Sequence, residues 1–157
     1  MRVRTILSIL IALLLLGTVM TAGAEQIRDD DMFGQILGIP FDAADLNNGN
    51  VIMSIADGNI GEVSYDLQNV NGGNSRWTIR FTRNQGYASA GILSGIPESE
   101  MSYPTELSAG LNWRVTSDGR NLYFWNRGTS CFCLVISGPY SNMQFSEQMD
   151  QIMEACE

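Results

Sequence analysis

The chain has 157 residues, with nine basic and 17 acidic side chains and a formal net charge of −8 at pH 7. It contains neither histidine nor lysine, so every basic side chain is an arginine. These absences exclude a Ser-His-Asp triad, a Cys-His pair, a histidine-ligated zinc site and a Schiff-base lysine. Because nucleic-acid binding needs a basic surface, the acidity predicts that no nucleic acid is a partner.

Residues 1–24 have the features of a secretory signal peptide. Arg2 and Arg4 form a short basic region, residues 6–16 are almost entirely apolar, and residues 22–24 form an Ala-x-Ala cleavage motif. We therefore predict cleavage after Ala24 and a secreted, extracytoplasmic protein. The alternative is an uncleaved anchor, since residues 5–24 are long enough to span a bilayer and would make the membrane a partner.

Residues 25–157 are numerous enough to form one domain with a sizeable core. We interpret residues 25–32, which are polar and acidic, as a flexible N-terminus. Segments of alternating polarity, separated by turns rich in Gly, Asn and Asp, predict β-strands. The predicted strands are 51–56, 60–67, 77–83, 112–116, 121–125 and 130–137.

A helix is predicted to begin at about Ser146 and to close the chain. Its apolar residues recur at helical spacing, at Met149, Ile152, Met153 and Cys156. A sheet and an amphipathic helix bury their apolar faces against each other in two layers. The sequence therefore predicts an α+β fold: a single antiparallel, curved β-sheet of about five to seven strands with the C-terminal amphipathic helix packed on it.

The least regular part of the sequence is residues 84–110. Four glycines and two prolines interrupt it. A segment this long without predicted structure either has a function or contains elements of its own. We therefore expect a surface for a ligand or partner to lie here.

Arg76, Arg80 and Arg83 form the only basic cluster along the sequence. Arg76 and Arg80 share one face of a predicted strand, so the three are a candidate surface for an anionic ligand or partner. The favoured alternative is a solvated strand face whose arginines pair with the many carboxylates, as surface charges commonly do.

The three cysteines, Cys131, Cys133 and Cys156, are candidates for a disulfide or for free thiols. An odd number in an exported protein leaves at least one thiol free or paired between chains. Cys131 and Cys133 share the strand face opposite Phe132. Cys156 could reach them only if the C-terminal helix covered their face. A soft metal held by all three is a further alternative, but we favour small, partly buried residues and expect no metal and no cofactor.

Several short segments resemble an uncharacterised family of exported or membrane-tethered proteins of Gram-positive bacteria, similar to the DUF4367 domain. The resemblance covers most of residues 34–156 and implies an α+β domain with an antiparallel sheet and no assigned activity. Small polar residues of that pattern are replaced here by Cys131 and Cys133. The segments are Gly-Ile-Pro at 38–40, Glu-Val-Ser-Tyr at 62–65, Thr-Ile-Arg-Phe at 78–81, Ile-Leu-Ser-Gly at 92–95 and Phe-Trp-Asn-Arg-Gly at 124–128.

We predict a non-enzymatic extracytoplasmic binding or sensing module. Its partner would be an envelope protein, an extracellular protein or a small ligand, and the sequence does not identify which. One alternative is a small secreted hydrolase that uses carboxylates only, since paired carboxylates can catalyse glycoside hydrolysis. Another is a structural or interaction protein that forms a thiol-linked dimer. We assign no catalytic residues.

Overall fold

The computed structural model describes residues 25–27, 34–35, 37–46, 48, 50–69 and 71–156. The predicted signal peptide, residues 1–24, lies outside this part of the chain, as do residues 28–32 of the predicted flexible N-terminus. Glu25–Ile27, assigned to that N-terminus from sequence, form a strand instead. No helix in the described part is long and apolar enough to cross a membrane.

The chain forms one antiparallel sheet in the order β1-β2-β3-β4-β8-β7-β6-β5. Two meanders, β1 to β4 and β5 to β8, meet where β4 pairs with β8, so the last strand of each meander lies at the centre. The strands are β1 (Glu25–Ile27), β2 (Ile52–Ala56), β3 (Ile60–Gln68), β4 (Asn74–Thr82), β5 (Thr105–Ser108), β6 (Leu111–Val115), β7 (Asn121–Arg127) and β8 (Ser130–Ser137).

The predicted α+β fold is confirmed. Seven of the strands have four residues or more, and the eighth, β1, is a three-residue strand at one edge. The sheet is not closed, because β1 and β5 lie at opposite edges. A C-terminal helix, Asn142–Ala155, packs on it.

The C-terminal helix begins four residues earlier than the predicted Ser146. Ser141 is its N-cap: the Oγ of Ser141 accepts a hydrogen bond from the Gln144 backbone N–H at 3.1 Å. The Gln144 Oε1 accepts one from the Ser141 N–H at 3.0 Å, which completes a capping box. The extra turn brings Phe145 onto the ring of Tyr123, with centroids 4.4 Å apart.

The two faces of the sheet carry cores of different size. The larger core lies under the C-terminal helix and is built on Trp77, Ile79 and Phe81 of β4 together with Phe132 and Leu134 of β8. All five are 2 % exposed or less. The alternation of β-strand side chains sends the other residues of these strands to the opposite face.

That opposite face is covered by part of residues 84–110, which have structure of their own. They contain the 3₁₀ turns Gln85–Tyr87 and Glu98–Glu100, the helix Ala90–Ser94 and strand β5. We call Ala90–Ser94 α1 and the C-terminal helix α2. Leu93 and Ile96 pack with Leu122 of β7 and Cys133 of β8 in a second, smaller core.

Candidate functional site

Arg76 and Arg80 are held by carboxylates on the neighbouring strand. Arg76 lies opposite Asp66 and Arg80 opposite Glu62 in the β3–β4 register. The Arg76 Nη1 is 3.4 Å from the Asp66 Oδ1. The Arg80 Nε is 3.2 Å from the Glu62 Oε2, although the two are not aligned as a hydrogen bond. Both pairs fit the favoured interpretation of a strand face whose arginines pair with carboxylates.

The structure does not join Arg76, Arg80 and Arg83 into one anion site. Arg76 and Arg80 are four residues apart on β4, about 13 Å at the usual rise per residue. Arg83 donates a hydrogen bond to the carbonyl oxygen of Gly38. Arg80 also has a structural role, because its guanidinium lies beside Gly95, the left-handed C-cap of α1, where a Cβ would be 2.1 Å from Nη1.

All three cysteines are free and buried. Helix α2 covers the Phe132 face, so Cys156 belongs to the larger core, and Cys131 and Cys133 lie beneath α1 in the smaller one. The sheet therefore separates Cys156 from the other two thiols. Burial raises the pKa of Cys133, and it raises the pKa of Cys156 to about 12. In the described part of the chain, no three His, Cys, Asp or Glu side chains are grouped to hold a metal.

A cleft of about 330 Å³ opens on the face beneath α1. Its apolar lining comes mainly from the 84–110 segment and from β7, including Leu93, Pro104 and Phe124. Its polar lining comes from Asn112 and Arg114 of β6 and Asn126 of β7, and Cys131 of β8 also reaches it. We call this the first cleft.

Arg114 differs from the arginines of β4. Its guanidinium carbon lies 6.0 Å from the centroid of the Phe124 ring, within the range of a cation–π contact. In the described part of the chain, no carboxylate lies within 4.0 Å of it, whereas Arg76, Arg80 and Arg120 each have one. Arg114 is half-buried. The first cleft therefore contains a positive charge that no described side chain neutralises.

Two amides accompany that charge. Asn112 and Asn126 make no side-chain hydrogen bond to any other described residue. Asn121, in contrast, is engaged, because its Oδ1 accepts a hydrogen bond from the indole of Trp113 at 2.9 Å. An arginine and two amides with unused hydrogen-bonding groups, in a cleft that also has apolar lining residues, can together bind a small anion.

A second cleft of about 430 Å³ adjoins the first, and Pro104 and Arg114 line both. Its other lining residues include Glu98, the only carboxylate of either cleft, and Tyr103. The Glu98 Oε1 accepts one hydrogen bond from the described residues, a long one of 3.4 Å from the Gly91 N–H. The Tyr103 side chain is 94 % exposed. A polar, open groove therefore continues from the first cleft.

The sequence indicated residues 84–110 as a place for a ligand, but it did not single out Arg114. The feature that could have indicated Arg114 is that no acidic residue lies directly opposite it on β7. In β6 and β7, the residues on the face of Arg114 are Asn112, Leu122, Phe124 and Asn126, none of them charged. Glu106 of β5 lies opposite Asn112 and shares this face, but it is not within 4.0 Å of the Arg114 guanidinium, so the availability of Arg114 is evident only from the structure.

Comparison with known proteins gives no relative to guide the assignment: no family model, no curated protein and no solved structure matches the chain.

Proposed function

We propose that the domain is a binding module for a small organic anion and that Arg114 in the first cleft binds the anionic group. The observation that carries the proposal is the half-buried, unneutralised guanidinium beside two unengaged amides. Arginine is suited to carboxylates and phosphates, because its planar N–H groups can donate two parallel hydrogen bonds.

The shape and lining of the first cleft support a ligand that also has an apolar part. A volume of about 330 Å³ is at the lower end of the range for small-molecule sites. Leu93 and Phe124 offer apolar contacts, while Asn112 and Asn126 can fix the orientation of the polar group. The ligand class that fits is a small carboxylate with an aliphatic or aromatic group.

The same clefts favour binding over carboxylate-only hydrolysis. Glycoside hydrolysis uses two carboxyl groups on opposite sides of the scissile bond, and Glu98 is the only one in either cleft. The thiol-linked dimer is also disfavoured, because the three thiols are at most 8 % exposed. The signal peptide and the resemblance to the DUF4367 domain stay predictions, and together they would place the ligand at the cell envelope.

Isothermal titration with hexanoate and its neutral counterpart hexanamide tests the proposal. We expect hexanoate to bind the purified protein more tightly than hexanamide. Arg114→Gln should weaken hexanoate binding by about 10- to 100-fold, since a hydrogen bond to a charged group contributes about 1.5–3 kcal/mol. Arg120→Gln is the matched control: it removes the same charge from a residue that lines neither cleft and pairs with Asp118.

Two outcomes would contradict the proposal. One is equal affinity of the wild-type protein for hexanoate and hexanamide. The other is equal weakening by Arg114→Gln and Arg120→Gln, which would reduce the effect to the net charge of the protein. Circular dichroism of both variants should match that of the wild-type protein, so that a loss of affinity reflects the side chain.

A further inference from the structure

Arg114 lies between two clefts that have different lining residues, and this position narrows the class of ligand. A carboxylate bound to Arg114 has the first cleft on one side and the second on the other, because Arg114 lines both. A fatty acid would extend in one direction only. The geometry favours a carboxylate whose neighbouring carbon carries two substituents, one for each cleft.

The two clefts favour different substituents on the ligand. The first is lined by Leu93, Phe124 and small apolar residues, which suits an aliphatic or aromatic side chain. The second contains the Glu98 carboxylate and the exposed ring of Tyr103. Among the described residues the Glu98 carboxylate accepts one long hydrogen bond, so its charge is available to a cation. A negative charge at this end of the groove favours an ammonium group on the ligand.

We propose that the ligand is a di- or tripeptide with a free amino end and an apolar C-terminal residue. Its C-terminal carboxylate binds Arg114, its last side chain occupies the first cleft, and its amino end extends along the second cleft towards Glu98. This inference rests on the proposed function, because it assigns a ligand class to the same site. It requires both termini of the peptide to be charged.

Four dipeptide probes separate these requirements by titration calorimetry. Ala-Leu has every feature, acetyl-Ala-Leu lacks the ammonium, Ala-Leu amide lacks the carboxylate, and Ala-Asp lacks the apolar side chain. We expect Ala-Leu to bind tightest. The amide should bind at least tenfold more weakly, and the acetylated peptide several-fold more weakly, because Glu98 is exposed and its charge is screened by solvent.

The variants assign each requirement to a residue. Glu98→Gln should weaken binding of Ala-Leu to the level of acetyl-Ala-Leu and should leave the affinity for acetyl-Ala-Leu unchanged. Glu147→Gln is the control, since Glu147 is an exposed carboxylate of α2, on the other face of the sheet, and lines neither cleft. Arg114→Gln should abolish the difference between Ala-Leu and Ala-Leu amide.

The outcomes distinguish failure of this inference from failure of the proposed function. If acetyl-Ala-Leu binds as tightly as Ala-Leu, or Ala-Asp as tightly as Ala-Leu, the peptide assignment is wrong. The proposed function would still stand, provided that hexanoate binding depends on Arg114. If neither hexanoate nor any dipeptide depends on Arg114, both proposals are wrong.

Discussion

Arg76 and Arg114 lie on the same face of one sheet, and their cross-strand neighbours give them different roles. Asp66 lies directly opposite Arg76, so the two charges neutralise each other at the surface. Leu122 lies directly opposite Arg114, and no carboxylate of the described residues lies within 4.0 Å of the Arg114 guanidinium. Strand register, more than residue type, therefore decides which arginine is available to a ligand.

Burial changes the pKa and the reactivity of the cysteine thiols. Cys133 is 0 % and Cys156 5 % exposed. In an apolar environment the charged thiolate is disfavoured, so burial raises the pKa of both groups, that of Cys156 to about 12. Since the thiolate is the nucleophile, both thiols should be unreactive in the folded protein.

We predict slow alkylation of the native protein by iodoacetamide and rapid alkylation of all three thiols in denaturant. Cys131 should react first, because it reaches the first cleft. The reaction of Cys133 and Cys156 should stay slow at both pH 8 and pH 9, because their raised pKa values leave only a very small fraction of thiolate at either pH, although that fraction rises about tenfold between the two. Peptide mass spectrometry gives the extent of modification at each site. Fast labelling of Cys133, or a disulfide-linked dimer on a non-reducing gel, would contradict the prediction.

The longer strands and the C-terminal helix were largely predictable from sequence, but not all of their termini were. Strand β8 has the predicted bounds, because its alternating residues end at the turn glycine Gly138. The start of α2 was misplaced at Ser146, although Ser141 and Gln144 already formed a capping-box pattern in the sequence. Ser146 also precedes a clear apolar periodicity, so the sequence offers two starts, and the contact of Phe145 with Tyr123 in the first turn accompanies the earlier one.

The two serines allow a direct test of where α2 begins. We predict that Ser141→Ala lowers the free energy of unfolding by about 1 kcal/mol, because it leaves the Gln144 N–H without its cap. Ser146→Ala, the matched substitution inside the helix, should be neutral or stabilise by about half a kcal/mol, because alanine has the higher helix propensity. Urea denaturation measures both. A larger loss for Ser146→Ala than for Ser141→Ala would show that the helix begins at the later residue.

Helix α1 could not be predicted from sequence for a physical reason. Its five residues are too few to be stable alone, since helix nucleation is costly. Its stability comes from tertiary contacts: Leu93 is buried against the sheet, and the guanidinium of Arg80 lies at the C-cap, Gly95. Because α1 lines the first cleft and could not be predicted, the cleft could not be predicted from sequence either. Only the unusual length of the 84–110 segment indicated it.

In the molecule as a whole, the sheet separates two cores that have different roles. The larger core under α2 holds the two meanders together through β4 and β8. The smaller core under α1 supports the clefts. Substitutions in the larger core, other than at Phe132, which also lines the first cleft, should therefore change stability without changing the site, provided that the fold is retained.

A double-mutant cycle tests this separation. Ile152 of α2 is 0 % exposed in the larger core, and Ile96, after α1, is 4 % exposed in the smaller one. We predict that Ile152→Val and Ile96→Val each lower the free energy of unfolding by about 0.5–1.5 kcal/mol, the usual cost of one buried methyl group. The double variant should show the sum of the two losses within about 0.5 kcal/mol, because the sheet keeps the two sites from sharing neighbours.

Ligand binding provides the second readout of the same variants. Ile152→Val should leave hexanoate affinity unchanged, because no residue of α2 lines either cleft. Ile96→Val should weaken it modestly, because Ile96 packs with Leu93, which does line the first cleft. Urea titrations give the stabilities, and calorimetry gives the affinities. A coupling energy above about 1 kcal/mol between the two isoleucines, well beyond the additivity of distant sites, would mean that the two cores respond as one. The clefts would then be sensitive to the packing of α2, and a ligand bound on one face would alter the stability of the other.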